Sequence, residues 1–144
     1  MKSLALFALV SGSILLIAAK LNLDDPTVET SIQFSSGTFS EILEQARKEN
    51  KVIFMDIYAT WCGPCKLLKK TTFTDKEVGD FFNTKFINIA VDGETAEGKK
   101  LRERYEVRSY PTMLFITPDG SIKEEAVGYH TASQLLKVAK KATN

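Results

Sequence analysis

The segment Val52-Ile53-Phe54-Met55-Asp56-Ile57-Tyr58 is apolar or aromatic at every position but one and shows no alternation with polar residues. Such a run fits a central strand covered on both faces, so the fold must supply packing partners above and below it. The chain is long enough to do so once. Its 144 residues, 44% of them hydrophobic and 26% charged, suit one globular domain with a core of useful size. The run leads directly into Trp61-Cys62-Gly63-Pro64-Cys65, which holds both cysteines of the chain.

The flanking residues supply the cover. Thr38 and Glu41 form a capping box ahead of Phe39, Ile42, Leu43 and Ala46, which share one helical face and predict a helix over 38–49. Pro64 suits the first turn of a helix that starts at the cysteines, because its missing N–H is not needed there. Asp75 caps a further turn carrying Val78, Phe81 and Phe82; Phe86 to Val91 reads as a strand and Glu97 to Tyr105 as a charged helix. Thr112 to Thr117 and Ile122 to Val127, joined by Pro118-Asp119-Gly120, predict an antiparallel hairpin. Thr131 and Gln134 cap a closing helix with Leu135, Leu136 and Ala139 inside, and Ile32 to Phe34 is expected to be a first edge strand. Strands alternating with helices give an α/β class.

The start of the chain is of a different kind. Met1-Lys2-Ser3 precedes an apolar stretch from Leu4 to Ala19 with small residues at its end, the pattern of a secretory signal peptide over 1–19. Its sixteen residues fall short of the roughly 18 that a membrane-spanning helix needs, so cleavage is favoured over a retained anchor. Residues 20–31, with Asp24-Asp25-Pro26, read as a polar spacer, and the folded domain is expected over 32–144.

Two cysteines three positions apart can close and reopen a disulfide, exchanging two electrons with a partner disulfide. At a helix N-terminus, unpaired N–H groups and the helix dipole favour a thiolate, which assigns the attacking sulfur to an exposed Cys62. Cys65, one turn further in, then resolves the mixed disulfide. Asp56 sits in the apolar strand six residues before Cys62, where burial raises a carboxyl pKa. From beneath the site it could take the proton from Cys65. Trp61, directly before the nucleophile, shapes the contact surface.

These residues, together with Tyr110-Pro111-Thr112 before a later strand, resemble the thioredoxin family over residue 32 to the C-terminus. The resemblance implies a thioredoxin-like fold with a central mixed β-sheet flanked by helices. It also implies a cis Pro111 that offers backbone groups to a substrate, with Trp61, Gly63, Pro64, Tyr110, Thr112 and Gly128 around the cysteines. No cofactor is expected beyond the redox-active pair itself. The family often has a lysine near the buried Asp that assists a proton relay; Asn88 stands at the matching place, and, as a separate departure, Tyr58 replaces a tryptophan. Thr71 to Val78 is more similar to the C-terminal domain of the membrane electron conductor DsbD and its exported single-domain relatives. By that resemblance the chain is a monomeric, periplasmic or otherwise exported reductase of protein disulfides, recharged by a membrane donor of DsbD type. A thioredoxin-like pair near −270 mV would reduce a DsbA-like disulfide near −120 mV downhill by about 7 kcal/mol.

Other classes fit less well. A thiol oxidase or isomerase would use the same pair at a higher potential, and a binding module could use the scaffold without chemistry. Zinc needs four ligands where Cys62, Cys65 and His130 give three. A structural disulfide across so small a loop stabilises little. Nineteen basic against eighteen acidic residues leave a net charge of +1, which gives no basis for nucleic-acid binding. Lys99, Lys100, Arg102 and Arg104, interleaved with glutamates, read as a solvated helix face.

Overall fold

The computed structural model describes residues 30–144; the signal segment 1–19 and residues 20–29 of the spacer lie outside them. The described elements follow as α1 (Phe39–Glu49), β1 (Val52–Tyr58), α2 (Gly63–Thr71), α3 (Lys76–Lys85), β2 (Phe86–Asp92), α4 (Ala96–Arg104), β3 (Thr112–Ile116), β4 (Ile122–Val127) and α5 (Ala132–Ala142). Each helix begins where a side chain can accept a free backbone N–H: Thr38, Cys62, Asp75, Thr95 and Thr131 are the N-caps, with full capping boxes on α1 and α5.

The four strands form one mixed sheet in the order β2-β1-β3-β4. β1 runs parallel to β2 and antiparallel to β3, and β3 and β4 form the expected hairpin. Residues 53 to 57 of β1 are all buried, as a strand between two covered faces requires. Ile53, Met55 and Ile57 enter one core with Phe39, Ile42 and Leu43 of α1 and Leu101 of α4. Phe54 points the other way, into a core with Leu68 of α2, Phe82 of α3 and Leu135 of α5. Strand periodicity puts Asp56 on that same face, beneath α2.

The second core is built on aromatic edges. Phe54 stands 4.6 Å from Phe82, 5.3 Å from Phe115 and 6.0 Å from Phe73, centroid to centroid. Offset and edge-to-face contacts of this kind add to the burial of the rings.

Residues 32 to 34 are not a strand. Ile32 is buried, but the N–H groups of Ser31 and Ile32 donate to the Phe73 carbonyl, that of Gln33 to Asn83 Oδ1, and that of Ser35 to the Asn88 carbonyl. These acceptors lie in the turn after α2, on α3 and on β2, so the segment is pinned to three places and forms no ladder with any of them.

Phe54 joins the sheet to the three helices on the α2 face. Phe54→Ala is expected to lower stability by about 3–5 kcal/mol, measured as a lower midpoint in denaturant with the slope retained.

Candidate functional site

The cysteines lie where β1 ends and α2 begins. Cys62 and Cys65 are joined by a disulfide, with Cα atoms 5.3 Å apart. Cys62 is the N-cap of α2, and its Sγ accepts the Cys65 N–H at 3.1 Å. The sulfur thus occupies the place of a capping oxygen, and the same N–H would stabilise a thiolate there. Gly63 and Pro64 are exposed in the first turn.

Exposure does not separate the two cysteines as expected from sequence. Cys62 is 3% exposed and Cys65 7%, because the bonded pair packs with Ala59 and beneath Tyr58 and Tyr110. Cap position, rather than accessibility, distinguishes the two sulfurs: Cys62 Sγ meets a free N–H of the helix start. Trp61 beside it is 69% exposed.

Asp56 is buried and its Oδ1 has no hydrogen-bond partner. Loss of solvation pushes its carboxyl up to about 7, against a smaller downward pull from the Lys69 ammonium. A cavity of about 320 Å³ lined by Asp56, Cys65, Lys69, Phe34, Phe73 and Ala90 joins the carboxyl to the inner cysteine. A group titrating near neutrality is suited to accept a proton at the pH at which it works.

Asn88 stands away from this cavity. Its Nδ2 donates to the Gln33 carbonyl and Asn83 Oδ1, both 3.3 Å away, and the residue of β2 opposite Asp56 is Ala90. The cation near Asp56 is Lys69, which the sequence reading missed. Its signal was present: Lys69 is four positions after Cys65 and therefore on the same helical face.

The Tyr110–Pro111 peptide is cis, and Pro111 is buried. The Gly128 N–H donates to the Pro111 carbonyl at 2.8 Å, with Gly128 at φ +80°, so this glycine is brought to the proline loop in a conformation that side chains rarely adopt. Thr112 is 1% exposed and its hydroxyl donates to the Ser109 carbonyl, so its side chain braces the loop from within instead of lining an open groove. Tyr110 is half-buried and its ring lies 5.7 Å from that of Trp61. Among the described residues, no group of His, Cys, Asp and Glu side chains could hold a metal ion.

Arg102 and Arg104 are not simply solvated. Arg102 lies over the Tyr110 ring and Arg104 against Phe39 and Tyr105. A flat guanidinium can cover an aromatic face while its edges stay wet, which helical periodicity does not reveal.

Residues 39–143 match the family model described as thioredoxin-like domain. The chain belongs to the thioredoxin-like family. Its disulfide-forming Cys62–Cys65 pair places it with the thiol-disulfide oxidoreductases of that fold. It is 36% identical over 80 residues to the thiol:disulfide interchange protein DsbD of Pseudomonas fluorescens, covering 55% of this chain but only 14% of that protein. The solution structure of a candidate disulphide-isomerase from Bacteroides thetaiotaomicron is 43% identical, with a TM-score of 0.70 over 78% of this chain and 93% of that one. The oxidised C-terminal domain of Neisseria meningitidis DsbD shares the fold at 24% identity, with a TM-score of 0.63 over 77% of this chain and 98% of that one.

The raised carboxyl makes stability pH-dependent. Between 3.8 and about 7 the folded state holds a proton on Asp56 that the unfolded chain has lost, so this group's contribution is full below that range and declines through it. Asp56→Asn should therefore gain stability over wild type as pH rises to about 7, by on the order of 4 kcal/mol at most, with a flat difference beyond. Lys69→Gln should move the upper end of that range higher. Denaturant midpoints of the oxidised proteins across pH measure both.

Proposed function

We propose that the chain is an exported protein-disulfide reductase. Reduced Cys62, as thiolate, attacks a client disulfide; a Cys62–client disulfide forms and one client thiolate leaves. Asp56 takes the Cys65 proton, Cys65 attacks the Cys62 sulfur, and the second client thiolate leaves as the Cys62–Cys65 bond closes. The client gains two electrons and the pair loses two. Trp61, Gly63, Pro64, Tyr110, Pro111 and Gly128 form the rim that a client segment would meet, with backbone groups of the Pro111 loop available for pairing.

The observation that carries this reading is the cavity that sets the titrating Asp56 carboxyl beside Cys65. A structural disulfide or a passive docking module has no use for a buried carboxyl held near neutrality. The reducing direction is supported by the Gly-Pro spacer and by the likeness to DsbD, export by the 1–19 segment. In an oxidising compartment the pair must be recharged, and a membrane donor of DsbD type is the proposed source. The likeness to the Bacteroides candidate disulphide-isomerase favours isomerisation as the second reading.

The potential separates the readings. Equilibration with thiol buffers, followed through Trp61, the chain's one tryptophan, should give a value near −270 mV; about −180 mV would favour an isomerase and about −120 mV an oxidase. Cys62→Ser should abolish disulfide reduction. Cys65→Ala, recovered from the exported fraction, should hold both clients and the donor as mixed disulfides on Cys62; recovery of neither would sink the electron-transfer role.

A further inference from the structure

Tyr110, beside the cysteine pair, is held from three directions. Its hydroxyl donates to Glu94 Oε1 at 2.6 Å, and the Arg102 guanidinium lies 4.9 Å from its ring centroid. Arg102 Nη1 in turn donates to the same Glu94 oxygen at 3.2 Å. On its other side the ring meets Trp61 nearly edge-on, with 74° between the planes.

The backbone is shaped to admit this arrangement. A Cβ on Gly93 would overlap the Tyr110 hydroxyl and lie 2.6 Å from its ring, so only glycine leaves room for the phenol where it stands. The Gly93 N–H donates to the Tyr58 carbonyl at 2.8 Å, which ties the Glu94 loop to the end of β1. Arg102 Nε is buried without a hydrogen-bond partner, so the guanidinium is placed for the ring and for Glu94 at the expense of one of its own bonds. A partly exposed ion pair of this kind ordinarily adds little to stability. Its geometric effect is larger, because two residues of separate elements converge on one aromatic side chain. Burial and the Glu94 bond push the Tyr110 phenol up to about 12, so it remains a donor throughout the working range.

The ring packs against the cluster of Ala59, Cys62 and Cys65, and Cys62 is nearly inaccessible although it begins a surface helix. We propose that Glu94 and Arg102 are positioning residues that hold Tyr110 as a cap beside Cys62, selecting clients able to seat on the Trp61–Tyr110 ledge over small disulfides. A client that covers the ledge offers the Tyr110 ring new packing as the cap shifts; a small disulfide brings nothing in exchange.

The client half of this proposal rests on the reductase reading, whereas the cap itself does not. In the reduced full chain carrying Cys65→Ala, the rate of Cys62 alkylation by iodoacetamide reports access directly. Glu94→Ala and Tyr110→Phe are expected to raise it about three- to tenfold, the factor for one net hydrogen bond, and Tyr110→Ala by more, with the pH midpoint of alkylation unchanged. Tyr110→Phe keeps the ring and isolates the hydroxyl, which guards against loss of folding in the alanine variant. With both cysteines present, Glu94→Ala should speed reduction of oxidised glutathione more than reduction of a protein disulfide. Wild-type alkylation rates in folded Glu94→Ala and Tyr110→Phe would overturn the cap, as would an increase explained entirely by a shifted pH midpoint. Faster alkylation in a protein that reduces no disulfide would uphold the cap and refute the reductase.

Discussion

A strand covered on both faces has no solvent side on which to place a charge. β1 is such a strand, and Asp56 is its one ionisable residue other than Tyr58 at its end. Everything about the site follows from that placement. The carboxyl cannot ionise cheaply, because its Oδ1 lacks a donor and the downward pull of the Lys69 ammonium is smaller than the cost of burial. Its carboxyl is therefore pushed up to about 7, and the cavity that it lines is also lined by Cys65. Burial that would be a plain defect in a structural strand becomes useful because β1 ends at a redox-active pair.

The end of β1 also fixes the other half of the site. Four residues after Tyr58 the chain turns into α2, with Cys62 as the capping residue and its sulfur on the Cys65 N–H. The two cysteines thus differ in electrostatic surroundings while sharing nearly the same burial. Cys62 meets the free N–H groups of the helix start; Cys65 meets the cavity and the carboxyl. An ordered exchange, with one sulfur attacking and the other resolving, needs that difference and does not need a difference in exposure.

The parts of this architecture that depend on neighbours in sequence were legible from it. Caps at Thr38, Asp75 and Thr131 and the doubly buried run of β1 are encoded within a few positions each, as are the turn Pro118-Asp119-Gly120 and the start of α2 at the cysteines. What depended on distant partners was not. Ile32 is apolar and buried as a strand residue would be, but its segment bonds to a turn, a helix and a strand at three separate places. Arg102 has the spacing of a solvated helix residue, and only the return of the 110 loop gives it a ring to cover. Thr112 stands next to the proline in sequence, yet its hydroxyl is consumed by the Ser109 carbonyl. The cysteine pair likewise packs against Tyr110, nearly fifty positions away.

The charge near Asp56 shows how one requirement can be met from different elements. In a parallel pair, Phe54 lies opposite Asn88 and Asp56 opposite Ala90. Asn88 shares the face of Ala90 by strand periodicity, but its amide is committed to holding residues 33 and 83, and a lysine there would forfeit those bonds. Ala90 is too short to carry a charge to the cavity. Lys69 reaches it from α2 instead, one turn beyond Cys65. Lys69 and the Cys65 sulfur therefore ride on the same helix, and any displacement of α2 relative to β1 moves both together with respect to Asp56. A lysine on β2 would stay with the carboxyl while the sulfur moved. In this chain the field that eases ionisation of Asp56 and the thiol whose proton it would receive are geometrically coupled.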